Sequence, residues 1–314
     1  MSNYVIRRLG LAVVQLFVVG SIVFFLIRLI PGDPARASLG DAASDEQVAA
    51  AREAMHLNEP VADQYFGFWG RLMTGDLGTS LLSGRPVMQD LPTRLMNSLE
   101  LVLLALALAV VIGVILGRIA ATHADRPADH LLVGGSIVGI SLPVFVVGTL
   151  LLLVFTFWIP ILPPRRFVTP WADPLGHLQI LILPVITLAG ATCAVITRMT
   201  RSAMLDTLSA DYVRTARAKG VAEKLVVRRH ALRTALVPVV SITTVELTTL
   251  IGGTVLVETI FGWPGISSLL MNAVGQRDYP VIQAVVLATA TIVIVVNLIG
   301  DLAVRTLDPR TTES

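Results

Sequence analysis

The stretch LELVLLALALAVVIGVILG, residues 99–117, is an apolar run in which Glu100 is the only charged residue. An α-helix rises 1.5 Å per residue, so about 20 apolar residues are needed to cross the roughly 30 Å hydrocarbon core of a bilayer. The stretch therefore predicts a membrane-spanning helix. Similar runs recur along the chain and indicate that it crosses the membrane several times.

The composition agrees with this interpretation. Of the 314 residues, 54% are hydrophobic and 15% are charged, against about 25% charged in an average soluble domain. We predict an all-α polytopic membrane protein of six transmembrane helices, with Pro143 kinking the third. The expected spans are residues 9–30, 97–121, 131–158, 179–200, 238–260 and 281–304.

The first apolar run is too long for the core of a typical secretory signal, and no small-residue cleavage motif follows it, so we expect it to be retained. Most of the 24 Lys and Arg residues fall on one side of the predicted spans if the N-terminus lies inside. The positive-inside rule then places both termini in the cytoplasm. The largest group on that side lies between Arg198 and Arg233.

The spans divide the chain into four parts. We expect an N-terminal tail and first helix over 1–30, an extracytoplasmic loop over 31–96, a five-helix core over 97–304 with a cytoplasmic loop at 201–237, and a tail over 305–314. In the outer loop, Ser44 and Gln47 have the spacing of a capping box at a helix start. Aromatic residues follow at helical spacing, which fits either a small folded cap or an amphipathic element on the outer leaflet.

Several classes of chemistry are missing from the sequence. The only lysines are Lys219 and Lys224, and neither lies in a phosphate-binding GxxxxGK[ST] loop. The five histidines are scattered, and a metal site needs three or four converging ligands. Cys193 is the single cysteine, so a disulfide within the chain is excluded. We expect no enzyme, no metal site and no cofactor bound by this chain.

A few polar or small residues lie within the predicted spans. Glu246 is the deepest ionisable residue, and such groups in a bilayer are candidates for function. Two roles stay open for it: a structural pair in the helix bundle, or a cavity-lining group that meets a cationic end of a substrate. Gly252 and Gly253 let a helix or a ligand approach closely. All three are candidates for a translocation path.

Residues 211–238, DYVRTARAKGVAEKLVVRRHALRTALVP, form a basic segment between two apolar runs. Burying its Lys and Arg residues at about 3 kcal/mol each would cost on the order of 20 kcal/mol. The segment must therefore lie in water or at the headgroups. By the charge rule, that location is the cytoplasm.

Local signals predict a helix, a glycine turn and a second helix in this segment. Ser209 is placed to cap the first helix, Gly220 to end it, and the second helix is expected to run from Ala222 to Pro238. Val213, Ala216 and Gly220 share one face of the first helix, with Arg214 and Arg217 beside it. A solvated loop that only fixes topology does not explain this face, and a DNA-reading helix-turn-helix is disfavoured because both flanks lead into spans. We expect a docking element for a protein partner and no nucleic acid.

The basic segment and four further motifs resemble those of a known family. YVRTARAKG at 212–220 and RRHALRTALVP at 228–238 are similar to the cytoplasmic coupling loop of binding-protein-dependent ABC importer permeases, in the form of the dipeptide/oligopeptide group. The general motif of these permeases begins Glu-Ala-Ala, whereas this chain has Arg214, Thr215 and Ala216 before Gly220. Further motifs of that group occur in the same order: LIPGDP (29–34), GDLGTSLLSGRPV (75–87), VETIFGWPGI (257–266) and RDYPVIQA (277–284).

The resemblance implies the type I importer permease fold and the first permease subunit of a pair in the bacterial cytoplasmic membrane. It implies three kinds of partner besides the lipid bilayer: a homologous second permease, two cytoplasmic ATPase subunits or one fused ATPase, and an extracytoplasmic substrate-binding protein. ATP and Mg²⁺ would be bound by the ATPase subunits. The implied ATPase contact, roughly residues 209–220, includes Tyr212, Val213, Arg214, Thr215, Ala216, Arg217 and Gly220.

The resemblance also suggests that Trp263, Pro264 and Gly265, together with the 31–96 loop, contact the binding protein. The expected substrate is a di- or oligopeptide. A nickel chelate or another small solute is the alternative within the same family. An ion-gradient-driven secondary transporter is the alternative outside it, although such transporters keep paired ionisable groups near the midplane.

Overall fold

A computed structural model describes residues 2–29, 32–40, 43–55, 57–160, 162 and 166–307. These residues are organised as α-helices with two short π-helical segments and one isolated β-bridge between Thr79 and Pro86. The helices are α1 (Ser2–Arg28), α2 (Pro34–Leu39), α3 (Asp45–Ala54), α4 (Val61–Met73), α5 (Val87–Thr122), α6 (Pro127–Ser141), α7 (Val144–Leu153), α8 (Pro174–Leu208), α9 (Asp211–Ala218), α10 (Glu223–Leu225), α11 (Leu232–Phe261), α12 (Ile266–Gln276) and α13 (Tyr279–Leu307).

The predicted all-α membrane fold is confirmed. In the described residues, five helical stretches are long and apolar enough to cross a membrane, and a bent helix pair brings the number to six if it counts as one span. The spanning helices extend beyond the apolar runs that predicted them, α5 from Val87 rather than residue 97 and α8 to Leu208 rather than residue 200. Ile30 of the first predicted span and residues 308–314 of the C-terminal tail lie outside the described residues.

The third span is broken rather than gently kinked. The helix α6 ends at Ser141, Pro143 is the N-cap of α7, and the two helix axes differ by 100°. Leu142 adopts an extended conformation with ψ 125° because the ring of the following proline disfavours the helical conformation at that position. The predicted effect of Pro143 is thus confirmed, with a larger bend than a kink.

The chain divides into two compact units. The first comprises residues 1–98 and 264–294, and the second comprises residues 99–263 and 295–314. The first unit therefore contains the outer segment 31–96 together with α12 and the beginning of α13. The second contains α6 to α11 and most of α5.

In the first unit, the outer segment folds with the first span. The predicted capping box is present at the start of α3: Ser44 Oγ accepts from Gln47 N at 3.3 Å, and Gln47 Oε1 accepts from Ser44 N at 2.9 Å. The aromatic face of α4 packs on α1, where Phe24 and Phe68 are buried and Tyr65 Oη lies 2.7 Å from Ser21 Oγ. This segment is a folded part of the unit, and its aromatic residues form the packing surface.

In the second unit, α5 and α8 approach closely around small residues. A Cβ atom at Gly117 would lie 2.6 Å from the carbonyl oxygen of Thr197, so only glycine allows this separation. Further along α8, Arg201 donates to the Asp129 carboxylate of α6 through Nε at 2.6 Å and Nη2 at 2.7 Å. Asp129 is only 1% exposed, so this bidentate ion pair fastens α6 to α8 inside the unit.

Candidate coupling and translocation sites

The candidate coupling helix is α9, which runs from Asp211 to Ala218 in the second unit. Its N-cap is Ala210, without a side-chain hydrogen bond, and Ser209 Oγ donates to the Asp206 carbonyl oxygen at 2.8 Å instead. The predicted cap by Ser209 is therefore wrong. The residue lies at the end of α8, so its hydroxyl is used by that helix.

Gly220 ends α9 as predicted. Its φ is +75°, and the Gly220 amide donates to the Arg217 carbonyl oxygen at 2.9 Å while the Val221 amide donates to that of Ala216 at 3.2 Å. These two bonds are the paired hydrogen bonds of a Schellman motif, with glycine at the left-handed position. No neighbouring atom lies within 4 Å of where a Cβ would stand, so the conformation rather than space requires glycine.

The two faces of α9 differ in exposure. Val213 is 0% exposed and Ala216 is half-buried, so these two residues of the predicted small-residue face lie against the rest of the unit, whereas Gly220 is exposed and lies beyond the end of α9. The exposed residues of α9 are Asp211, Tyr212, Arg214, Thr215, Arg217 and Ala218, and Lys219 and Gly220 just beyond its end are exposed as well. Any partner that meets α9 in this conformation would contact this polar, cationic face. Val213, on the opposite face, packs the helix against the rest of the unit.

Charged contacts hold the segment locally. Arg217 donates to both carboxylate oxygens of Glu223, at 3.0 Å through Nε and 2.7 Å through Nη2, and this hydrogen bonding raises the pKa of Arg217. Arg214 lies 3.6 Å from Asp211, and its side chain is 72% exposed. Arg217 is thus already engaged across the glycine turn, whereas Arg214 presents its guanidinium to the surroundings.

The second helix of the segment begins as predicted and ends elsewhere. It consists of α10, a π-helical segment at Val226–Ala231 and α11, and it continues through Pro238 to Phe261. The expectation that it would stop at Pro238 is wrong. Ala231 and Ala235, in the turns before the proline, are buried against Ala121 and Met204, so tertiary packing holds the helix on both sides of the hydrogen bond that the proline cannot make.

Glu246 has a specific partner in the second unit. Thr192 Oγ1 of α8 donates to Glu246 Oε2 of α11 at 2.8 Å, and Thr192 is 3% exposed. A Cβ atom at Gly252 or Gly253, further along α11, would meet no atom within 4 Å. These glycines therefore do not serve close helix packing within the described part of the chain. One side of α11 is left open beside them, and Glu246 is half-buried and partnered.

Trp263, which was predicted to contact the binding protein, is buried. The indole is 3% exposed and lies 5.0 Å from the Phe167 ring and 5.7 Å from the His177 ring, between ring centroids. Gly265 is also buried, and the Pro264 carbonyl oxygen accepts from Asn97 Nδ2 at 2.9 Å. This stretch serves as an internal packing element, so it offers little surface to a binding protein.

A polar pair beside Trp263 was not foreseen from sequence. His177 Nε2 lies 2.9 Å from Glu100 Oε1, and Nδ1 lies 2.6 Å from the Val168 carbonyl oxygen. Because a carbonyl can only accept, Nδ1 is the donor to Val168, and both ring nitrogens of His177 thus have an oxygen partner. The two residues are 77 positions apart, and no local pattern links them.

No cluster of three potential metal ligands occurs among the described residues.

Comparison with known proteins agrees with this architecture. The family model described as binding-protein-dependent transport system inner membrane component matches residues 113–313, and a model of the N-terminal part of such components matches residues 1–88. The chain is 40% identical over 309 residues to the glutathione transport system permease protein GsiC of Escherichia coli K12, covering 98% of both chains. It is 39% identical over 312 residues to GsiC of Salmonella typhimurium LT2, again covering 98% of both.

A solved structure shares the fold. The crystal structure of an amino acid ABC transporter with histidines superposes with a TM-score of 0.51 at 15% identity, covering 68% of this chain and 92% of that chain. The resemblance to ABC importer permeases is thereby confirmed, as is the absence of a catalytic role, because permease subunits of this family are non-catalytic. The chain belongs to the binding-protein-dependent transport system inner membrane component family and is a multi-pass permease subunit of an ABC importer in the inner membrane.

Proposed function

We propose that this chain is the first of two permease subunits of an ATP-driven importer that carries di- and oligopeptides or similar peptide-like solutes across the cytoplasmic membrane. The observation that carries the substrate class is the 40% identity, over 98% of both chains, to permeases named for glutathione transport. Glutathione is a tripeptide, so the proposed class includes it. The family model supports a permease, and the relatives' names support a peptide.

The proposed energy input enters at α9. ATPase subunits that bind ATP and Mg²⁺ dock on the exposed face formed by Tyr212, Arg214, Thr215, Arg217 and Gly220. The Glu-Ala-Ala acid of the general motif is replaced here by Arg214, so the contact requires an acidic or hydrogen-bond-accepting surface on the ATPase. Val213 and the glycine turn hold the helix to the core, which lets ATPase closure move α8 and α11 with it.

The proposed substrate path follows the open side of α11. Gly252 and Gly253 leave room for a solute or for the second permease, and Glu246 supplies a carboxylate to an amino group of the passing solute. The substrate-binding protein delivers the solute at the outer face. With Trp263 buried, its contacts are assigned to the outer segment 31–96 alone.

Reconstitution tests this proposal. The chain is purified with its co-purifying subunits, placed in proteoliposomes with the cognate binding protein, and assayed for uptake of labelled glutathione, a dipeptide and a nickel chelate. We expect uptake of one or both peptides only when ATP is supplied. Uptake of the chelate alone would overturn the peptide assignment. Uptake that persists without ATP and collapses with a protonophore would overturn the ATP-driven mechanism.

A substitution at Glu246 tests the proposed substrate path along α11. Glu246→Gln keeps an oxygen that can accept from Thr192 and removes the negative charge. We expect uptake of peptides with an extra cationic side chain to fall relative to neutral peptides. Thr192→Val is the matched control because it removes the hydrogen bond and keeps the charge. Equal uptake ratios in Glu246→Gln and the unaltered chain would remove Glu246 from the path.

A further inference from the structure

A buried carboxylate links two separate motifs of the first unit. Asp278 lies between α12 and α13 and is 3% exposed. Its carbonyl oxygen accepts from the Ile282 amide at 3.0 Å, so the residue stands at the N-terminus of α13. A carboxylate is stabilised there by the helix dipole. The position belongs to the sequence motif 277–284, for which the proposed function gives no role.

The side chain of Asp278 binds a hairpin from the outer segment. The Ser80 hydroxyl donates to Oδ2 at 2.5 Å, and the Leu81 amide donates to Oδ1 at 3.1 Å. Ser80 Oγ in turn accepts from the Leu82 amide at 3.3 Å and the Ser83 amide at 3.1 Å. One carboxylate therefore orients three successive amides, the first directly and the next two through Ser80.

The hairpin, residues 79–86, presents its tip outward. It is closed by the bridge between Thr79 and Pro86 and by the Ser80 amide, which donates to the Arg85 carbonyl oxygen at 2.9 Å. Leu82 at the tip is 41% exposed. A cavity of about 210 Å³ lies between the hairpin and α12, and its lining includes Asn272, Gln276 and Asp278. The anchored residues thus support an exposed, shaped surface.

We propose that Asp278 is a positioning residue that fixes the hairpin 79–86 to the start of the sixth span, so that docking of the binding protein on the hairpin acts directly on that span. This inference rests on the proposed importer function. Asp278 touches no substrate in this scheme. It acts by making the hairpin and the first turn of α13 move together.

Two measurements on one set of variants test this latch, by which we mean the bonds that Asp278 makes to Ser80 and Leu81 of the hairpin. Amide hydrogen exchange at residues 81–83 reports whether Asp278 holds the hairpin. ATP hydrolysis by the reconstituted complex, with and without loaded binding protein, reports whether the latch transmits docking. Asp278→Ala and Ser80→Ala break the latch, and Asp278→Asn keeps an oxygen for the Leu81 amide. Asp90→Ala is the control, because this exposed acid lines the same cavity and makes no hydrogen bond to the hairpin among the described residues.

In Asp278→Ala we expect exchange at 81–83 to accelerate by about tenfold or more, with unchanged hydrolysis in the absence of binding protein. Stimulation by binding protein should fall by a comparable factor, and Asp278→Asn should restore part of it. Unchanged exchange in both Asp278→Ala and Ser80→Ala would overturn the anchoring. Faster exchange with full stimulation would overturn the transmission. If the unaltered complex shows no stimulation at all, the proposed function fails while the exchange result still decides the anchoring.

Discussion

The hairpin 79–86 and the coupling segment 209–223 are both short polar segments next to long helices, yet they are held in opposite ways. The hairpin depends on Asp278, which lies 198 positions from Ser80 in sequence. The coupling segment is closed by its own residues, with Arg217 and Glu223 only six positions apart and a glycine turn between them. A remote bond to a buried carboxylate fixes one segment, whereas local exposed bonds shape the other and leave its outer face accessible to a partner.

The largest effect is expected where a remote bond is ionic and its carboxylate is buried, as at Asp129 and Arg201. Arg201→Met leaves the 1% exposed Asp129 carboxylate without its cation, which costs about 3–5 kcal/mol. Thermal unfolding in detergent measures the loss. Arg198→Met, an exposed site on the same helix, is the matched control. Equal shifts of the melting temperature in the two variants would contradict the stabilising role of the bond between Asp129 and Arg201.

A smaller effect is expected at the glycine turn. Gly220→Val places a β-branched residue at φ +75°, which costs roughly 1–2 kcal/mol or more. We expect normal membrane insertion with uncoupled transport, measured as binding-protein-dependent uptake against protein level. Gly134→Ala is the control, because it lies in α6 with open space around its Cβ position. Normal uptake by Gly220→Val would contradict the coupling role of the turn.

The smallest stability effect is expected at the exposed local pair. Arg217→Gln removes the bond to Glu223, and exposed ion pairs contribute about 0–1 kcal/mol. The melting temperature of the Arg217→Gln variant should stay close to that of the unaltered chain, and the difference between the two should change little with salt concentration. A loss as large as that of Arg201→Met would show that the coupling segment also depends on a structural ion pair.

The same contrast explains what the sequence could predict. The apolar runs, the Ser44–Gln47 capping box and the Gly220 turn depend on neighbours within a few residues, and each was foreseen. Tertiary packing brings Asp278 to Ser80 and His177 to Glu100. No pattern among their neighbours in sequence predicts these two contacts. The burial of Trp263 could not be predicted for the same reason, because it depends on contacts with Phe167 and His177.

Two local predictions failed because packing or a neighbouring helix overrode the local rule. Ser209 has the chemistry of an N-cap, but its hydroxyl bonds back to Asp206 at the end of α8. Pro238 commonly ends a helix, yet α11 runs through it while Ala231 and Ala235 pack beneath. Sequence therefore identified the segment and its turn correctly, and it misjudged where the adjoining helices begin and end.

The central claim is that the exposed cationic face of α9 is where the ATPase docks. Arg214→Glu tests it most directly, because Arg214 is 72% exposed and holds only a long contact to Asp211. The measurement is the amount of cognate ATPase retained by the affinity-purified chain, with Arg229→Glu as an equal charge change outside α9. The account predicts a clear loss of ATPase with Arg214→Glu and retention with Arg229→Glu. Equal retention by both variants would contradict it.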